Sequence, residues 1–209
     1  MADERSLPHF EPPLIDYKIL ADGLRHYTSN GYPYHEVPWV VRPDAVSVTL
    51  PQGAQATRNQ YGDLVGSGEQ SLIELMMRGE HIEKVCCITP CFRLEPAYDT
   101  LHHGYFMKLE LFEAQATVPT LMAMVACASA FYEQYLATNV VETGVNMYDI
   151  VDAHNGIELG SYGFRIWNNG TFTYGTGVAL PRLSTVIARQ TQDPRPNGEL
   201  VQSTWYDLR

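Results

Sequence analysis

"CFRLEPAYDTLHHGYFMKLELFE", residues 91–113, sets Arg93 and Glu95 two apart, then Phe106, Lys108 and Glu110 at the same spacing beyond a short polar break. Residues two apart in a strand share a face. If "KVCCITPCFR" and "GYFMKLELFEAQA" are the two strands of a hairpin, Arg93 and Glu95 project to one side of the first. Phe106, Lys108 and Glu110 then line one face of the second, and Met107, Leu109 and Leu111 line the other. The apolar set is expected to pack on a helix. The charged set is then left on a concave surface. Taken alone, the pattern also fits a water-facing sheet laced with cross-strand ion pairs.

Outward from this hairpin the chain alternates helices and strands. Leu14, Tyr17, Leu20, Leu24 and Tyr27 recur at helical spacing over 14–29, and Gly31 in "NGY" suits a left-handed cap. "HEVPWVVRP" reads as an extended segment broken by Pro38, a residue confined to edges and bulges of sheets. Residues 44–62 read as loop. A short strand, a Gly-Ser-Gly turn and a helix over about 70–78 follow. An apolar helix is predicted over 117–138, with Thr117 as N-cap. Turn signals "HNG" and "NNG" divide two or three further strands, and "VALPRLSTVIAR" reads as a last helix. The ends, 1–13 and 191–209, read as extended or irregular. The order points to one α+β domain over 1–209 with an antiparallel sheet.

At 209 residues, 45% of them apolar, the chain can fill one sizeable core but not two. No run of 18 or more apolar residues occurs, and "MADERSLPHFEPP" lacks a basic-then-apolar signal pattern, so the expected location is cytoplasmic, with no membrane partner. Cys86, Cys87 and Cys91 fall within one apolar strand pattern and Cys127 stands alone. That spacing suits buried free thiols rather than paired metal ligands. The net charge of −10 lowers the expectation of a grip on nucleic-acid phosphates, which calls for a basic surface.

Three more segments carry candidate chemistry. "GSGEQ" sets Glu69 at a helix start, where a first-turn carboxylate is also ordinary helix electrostatics. "GIELGSYGFR" places Glu158 and Ser161 among glycines that let backbone approach a ligand, although a polar hairpin would look the same. "YGTGVALPRLSTVI" puts Arg182 on an apolar helix, where it needs an anion or a route to water.

Together, in this order, the segments resemble the catalytic core of class II aminoacyl-tRNA synthetases, most of all the seryl type, over residues 14–190. "NGYPYHEVPWVV" is similar to the first motif, with Pro38 as its proline. "LVGSGEQSL" is similar to the seryl segment ending Thr-x-Glu, with Ser67 and Glu69 at those places. "TPCFRLE" and "HHGYFMKLE" are similar to the second motif, where His102, Phe106 and Glu110 hold the spaced positions. "IELGSYGFR" resembles the strand that binds metal and phosphates, and "GTGVALPRL" the third motif with its arginine at 182.

The resemblance implies an antiparallel sheet of six to seven strands flanked by helices, and a homodimer formed through the first motif. It implies ATP, Mg²⁺ and an amino acid as ligands. Arg93 would hold the ATP α-phosphate and the amino-acid carboxylate. Glu95 would meet the adenine amino group, and Phe106 would stack on the ring opposite Arg182, which also neutralises the γ-phosphate. His102 would contact phosphate, and Glu158 and Ser161 would place Mg²⁺. Ser67, Glu69 and Glu110 would receive the ammonium group or a polar side chain. The sequence departs from the family in two ways. The loop "PAYDTL" is short, and His102 stands where seryl enzymes carry arginine. Neither a long helical arm nor an anticodon-binding region is expected from these residues. Together with the charge, these departures favour transfer of the activated acyl group to a carrier protein, a small molecule or a protein side chain rather than to tRNA. A minimal tRNA-charging enzyme and a non-catalytic sensor of amino acid or ATP are the alternatives.

Overall fold

The computed structural model describes residues 12–94, 98–168 and 170–192. Its frame is a six-stranded antiparallel sheet. In chain order the strands are β4 (Lys84–Phe92), β5 (Tyr105–Glu113), β6 (Thr138–Gly144), β7 (Met147–Asp152), β8 (Glu158–Trp167) and β9 (Gly170–Leu180), and they are arranged β4-β5-β9-β8-β7-β6. A second sheet of three short strands, β1 (Val40–Val41), β2 (Arg58–Asn59) and β3 (Gly62–Leu64), is ordered β1-β3-β2. Helices α1 (Tyr17–Ser29), α2 (Pro43–Ser47), α3 (Gly68–Met77), α4 (Val118–Tyr132) and α5 (Arg182–Gln192) complete the described elements.

The alternation along each strand divides the core into two layers. On one face Leu109 and Leu111 of β5 pack with Leu20 and Tyr27 of α1, Leu121, Met124, Val125 and Ala128 of α4, and Leu183 and Val186 of α5. This is the packing that the Met107/Leu109/Leu111 pattern predicts. On the other face Phe112 and Phe172 meet Leu72, Ile73 and Leu75 of α3 and Val46 of α2. The rings of Phe112 and Phe172 lie 4.9 Å apart. Toward the Phe106 end this second face carries Lys108 and Glu110 in place of apolar residues, and there it opens.

Local chemistry sets the helix ends. Asp16 accepts from the backbone N–H groups of Lys18 (2.9 Å) and Ile19, so α1 starts at Tyr17 rather than at 14. Leu14 and Tyr17 are exposed, outside the buried stripe. Gly31, at φ +83°, closes that helix in the left-handed region as the sequence suggests. Thr117 and Thr120 form a reciprocal cap on α4.

Elsewhere the sequence reading needs correction. The predicted loop over 44–62 contains most of α2, all of β2 and the start of β3, elements of two to five residues too short for a periodic signal. Helix α4 ends at Tyr132, not 138; Leu136 continues the apolar pattern because a turn returns it to the core. β6 escaped the reading because it is an edge strand exposed on both faces, with no alternation. Val178–Leu180 belong to β9 and not to the last helix, and that helix runs past the predicted end at Arg189 to Gln192, into the first two residues of the tail expected to be irregular from 191. Cys86, Cys87 and Cys91 are free and buried, and Cys127 is half-buried. No described helix is long and apolar enough to cross a membrane.

Candidate active site

The open end of the sheet forms a cavity of about 720 Å³, within the range of small-molecule sites. Among its lining residues are Ser67, Glu69, Arg93, Lys108, Glu158 and Arg165. A smaller cleft adjoins it, lined by His102, Phe106 and Arg182 and sharing Arg93, Lys108, Glu158 and Thr176 with the larger one.

The buried end is built around Glu110. Its Oε1 accepts from Lys108 Nζ at 2.7 Å and from Ser67 Oγ at 2.8 Å, while Oε2 accepts from the backbone N–H of Gly68 at the start of α3. A carboxylate at a helix N-terminus is favoured by the orphan N–H groups and the dipole. Gly68 is required by this approach: a Cβ there would lie 2.8 Å from both Glu110 Oε2 and Cys87 Sγ. Burial alone would raise the Glu110 carboxyl, but the Lys108 ammonium, with help from Ser67 and Arg93, holds it below the usual carboxylate range.

Glu69, 3% exposed, sits beside it. Its Oε2 accepts from Arg165 Nε at 2.6 Å, and its Oε1 lies 3.2 Å from Ser67 Oγ, whose single hydrogen goes to the nearer Glu110 oxygen. Burial, and then the charge of Glu110, push its carboxyl upward against Arg165 and Lys108. Two adjacent buried carboxylates thus diverge, each with its own cation. The Arg165 guanidinium also lies 4.5 Å over the ring of Tyr174.

The other end is looser. Arg93 lies one residue past β4, so it is not a strand residue as predicted, although its backbone N–H reaches Gly104 O at 3.0 Å. The side chain is exposed, donates from Nε to Gly66 O at 2.9 Å and lies 5.1 Å over the Phe106 ring. Glu95 lies outside the described residues. Arg182 opens α5 and donates to Glu158 Oε1 at 3.1 Å. His102 presents Nδ1 to Asp99 at 3.0 Å. The Asp99 carboxyl is held down to about 2, first by the Leu101 N–H and then by His102.

Glu158 and Ser161 are three apart, which in a regular strand would set them on opposite faces. A bulge between β7 and β8 prevents this: Ile150 pairs with Gly160 but Val151 pairs with Glu158, leaving Leu159 as the extra residue. Glu158 and Ser161 therefore share a face with Asp149, which pairs with Ser161. The Ser161 hydroxyl lies near Asp149 and Tyr174 and opposes the rise that burial causes in each. Burial raises the Asp149 carboxyl, and the nearby Glu158 adds to this.

The structure therefore gathers Ser67, Glu69, Arg93, Glu110, Glu158 and Ser161 in or against one cavity, with His102, Phe106 and Arg182 in the adjoining cleft. The sequence reading assigned no role to Arg165, Asp149 or Lys108. A lone charge in the apolar run "GFRIW" was the signal for Arg165; Asp149 becomes relevant only through the bulge.

No family model matches the sequence, and no curated protein matches it. Solved structures do. Seryl-tRNA synthetase from Pyrococcus horikoshii, complexed with ATP, aligns with a TM-score of 0.66 at 16% identity, covering 83% of this chain and 49% of that one. A pyrrolysyl-tRNA synthetase, PylSc, from Desulfitobacterium hafniense aligns with a TM-score of 0.65 at 14% identity, covering 83% and 67%. The cytoplasmic serine-tRNA ligase from Naegleria fowleri, in complex with AMP, aligns with a TM-score of 0.61 at 15% identity, covering 81% and 47%. The chain has the fold of a class II aminoacyl-tRNA synthetase catalytic core, as its motifs suggest. Within that class it is similar to the seryl and pyrrolysyl enzymes, and it spans about half the length of the two seryl enzymes.

Proposed function

We propose that this chain uses ATP to convert an amino acid to its aminoacyl-adenylate. The observation that carries the reading is one cavity in which an exposed arginine, Arg93, stands between a buried carboxylate pair and an aromatic cleft ending in Arg182. The substrate carboxylate is ionised near neutral pH and needs no general base. One of its oxygens bonds to the α-phosphorus while the bond to the β-phosphate bridge breaks, releasing pyrophosphate. What the protein must supply is alignment and charge neutralisation.

Arg93 suits the shared position between the α-phosphate and the substrate carboxylate. Phe106 offers a face for adenine, with Arg182 across the cleft, and His102 keeps Nε2 for a phosphate while Asp99 holds Nδ1. The exposed Arg182–Glu158 pair contributes about 0–1 kcal/mol, so Arg182 can leave it for the γ-phosphate at little cost. Glu158, Asp149 and Ser161 are hard oxygen donors on one face, and Mg²⁺ is commonly held by one or two carboxylates together with substrate phosphates. The residues fit that ion, which would neutralise phosphate charge. Ser67 and Glu69 suit the ammonium group, with Glu110 behind them setting the helix start.

The negative net charge supports an acyl acceptor other than tRNA, namely a carrier-protein thiol, a small amine or a protein side chain. The exposed Tyr34 and Trp39 along the extended segment before β1 support a homodimer contact there. The test is ATP–pyrophosphate exchange. An amino-acid-dependent signal that disappears in Arg93→Ala is expected; exchange retained in that variant would refute the α-phosphate assignment.

A further inference from the structure

The carboxylates in and against this pocket are already matched. Glu69 is bonded to Arg165, Glu110 to Lys108 and Glu158 to Arg182. The cations are only partly used. Arg165 spends Nε on Glu69, and its two terminal nitrogens find no hydrogen-bond acceptor among the described residues. Lys108, buried at 8% exposure, spends one N–H on Glu110 and has two left. Both line the cavity. Each also acts electrostatically on the other's carboxylate, Lys108 on Glu69 and Arg165 on Glu110, so they belong to one compact cluster.

A guanidinium with a free edge open to a cavity is shaped for a carboxylate, and the Lys108 ammonium beside it adds a charge-assisted donor. A substrate ammonium can still reach Glu69 Oε1, whose described neighbour is the Ser67 hydroxyl. A neutral side chain would leave the Arg165 and Lys108 donors unmet, and a cationic one would be repelled.

We infer that the activated amino acid carries a second carboxylate, aspartate or glutamate, bound by the free edge of Arg165 and the remaining N–H groups of Lys108. This rests on the adenylation reading and adds its substrate class. The buried carboxylates pin both cations, so the anion subsite is preformed and loses little ordering entropy on binding.

The experiment is ATP–pyrophosphate exchange over the full panel of amino acids, paired with calorimetric titration of the same acids into the protein. Aspartate or glutamate should exceed its amide, asparagine or glutamine, by about 10- to 100-fold, as expected for losing charge-assisted hydrogen bonds. Arg165→Gln should erase that preference, and Arg165→Lys should restore part of it. The amide comparison in the unaltered protein keeps the test valid if Arg165→Gln misfolds. Exchange with any other amino acid, serine included, but with neither acidic one would overturn this inference while leaving adenylation standing. Binding of an acidic amino acid without exchange would support the subsite and overturn adenylation. Neither exchange nor binding with any amino acid would overturn both.

Discussion

The two ends of the cavity are built to different standards. At the Glu110 end, donors from β5, the first residue of α3 and the cap residue before it converge on one carboxylate, and Glu69 and Lys108 are nearly inaccessible to water. At the Arg182 end, a single ion pair sits partly in solvent and Arg93 rests on a backbone carbonyl. The first end is part of the core and has to be correct for the chain to fold. The second can exchange its partners for phosphate without disturbing the fold. A site that binds a small acid rigidly and a flexible triphosphate reversibly calls for this division.

The largest expected effect of breaking this contrast lies at the buried end. Glu110→Ala leaves the Lys108 ammonium buried and unpaired, and should cost about 3–5 kcal/mol of stability, read by denaturant titration. Arg93, at the open end, should behave in the opposite way. Arg93→Ala should lower exchange by about 10²–10³-fold, the scale of losing a preorganised charge-stabilising donor, with the melting temperature nearly unchanged. Gly68→Ala tests the closeness of the helix start to Glu110. The Cβ would meet the ends of two buried side chains, Glu110 Oε2 and Cys87 Sγ, and moving Glu110 breaks its bonds to Lys108 and Ser67, so the contact should cost about 1–3 kcal/mol and weaken amino-acid binding.

The smaller effect is on pH dependence, where the two buried carboxylates have opposite signs. Glu110, held low, contributes stability that is present above the unfolded carboxylate pKa of about 4.3 and lost as pH falls through its lowered value. Glu69, held high, binds its proton more tightly in the fold than in the unfolded chain. It therefore subtracts stability as pH rises from about 4.3 through its raised value. Stability measured against pH should fall less steeply on the acid side in Glu110→Gln, with Glu74 and Asp99, also held low, keeping part of that fall. The neutral-side decline should be reduced in Glu69→Gln. The pair titrates together, so each variant also shifts the remaining limb.

Much of this was legible from the residues. The Phe106/Lys108/Glu110 face, the opposed Leu109/Leu111 face and the caps at Gly31 and Thr117 follow from period and residue type. The grouping of Glu69 with Glu110 is implied only by the resemblance of the ordered segments to class II synthetase cores. Pairing was not legible. Nothing in a strand pattern reveals that Leu159 is the residue squeezed out of register, although that brings Glu158 and Ser161 to one face beside Asp149. Nor does composition show that Arg165 lies against Glu69, 96 positions away. Short elements such as α2 and β2, and the doubly exposed edge strand β6, leave no periodic trace because burial does not select their side chains.

The most direct measurement follows the oxygen atoms. With ATP, the protein and an amino acid labelled with oxygen-18 in its α-carboxylate, discharge of the product by hydroxylamine should yield AMP carrying one labelled oxygen. Adenylation requires this, because the bridging oxygen comes from the carboxylate. Labelled orthophosphate with ADP, or AMP free of label, would contradict the account.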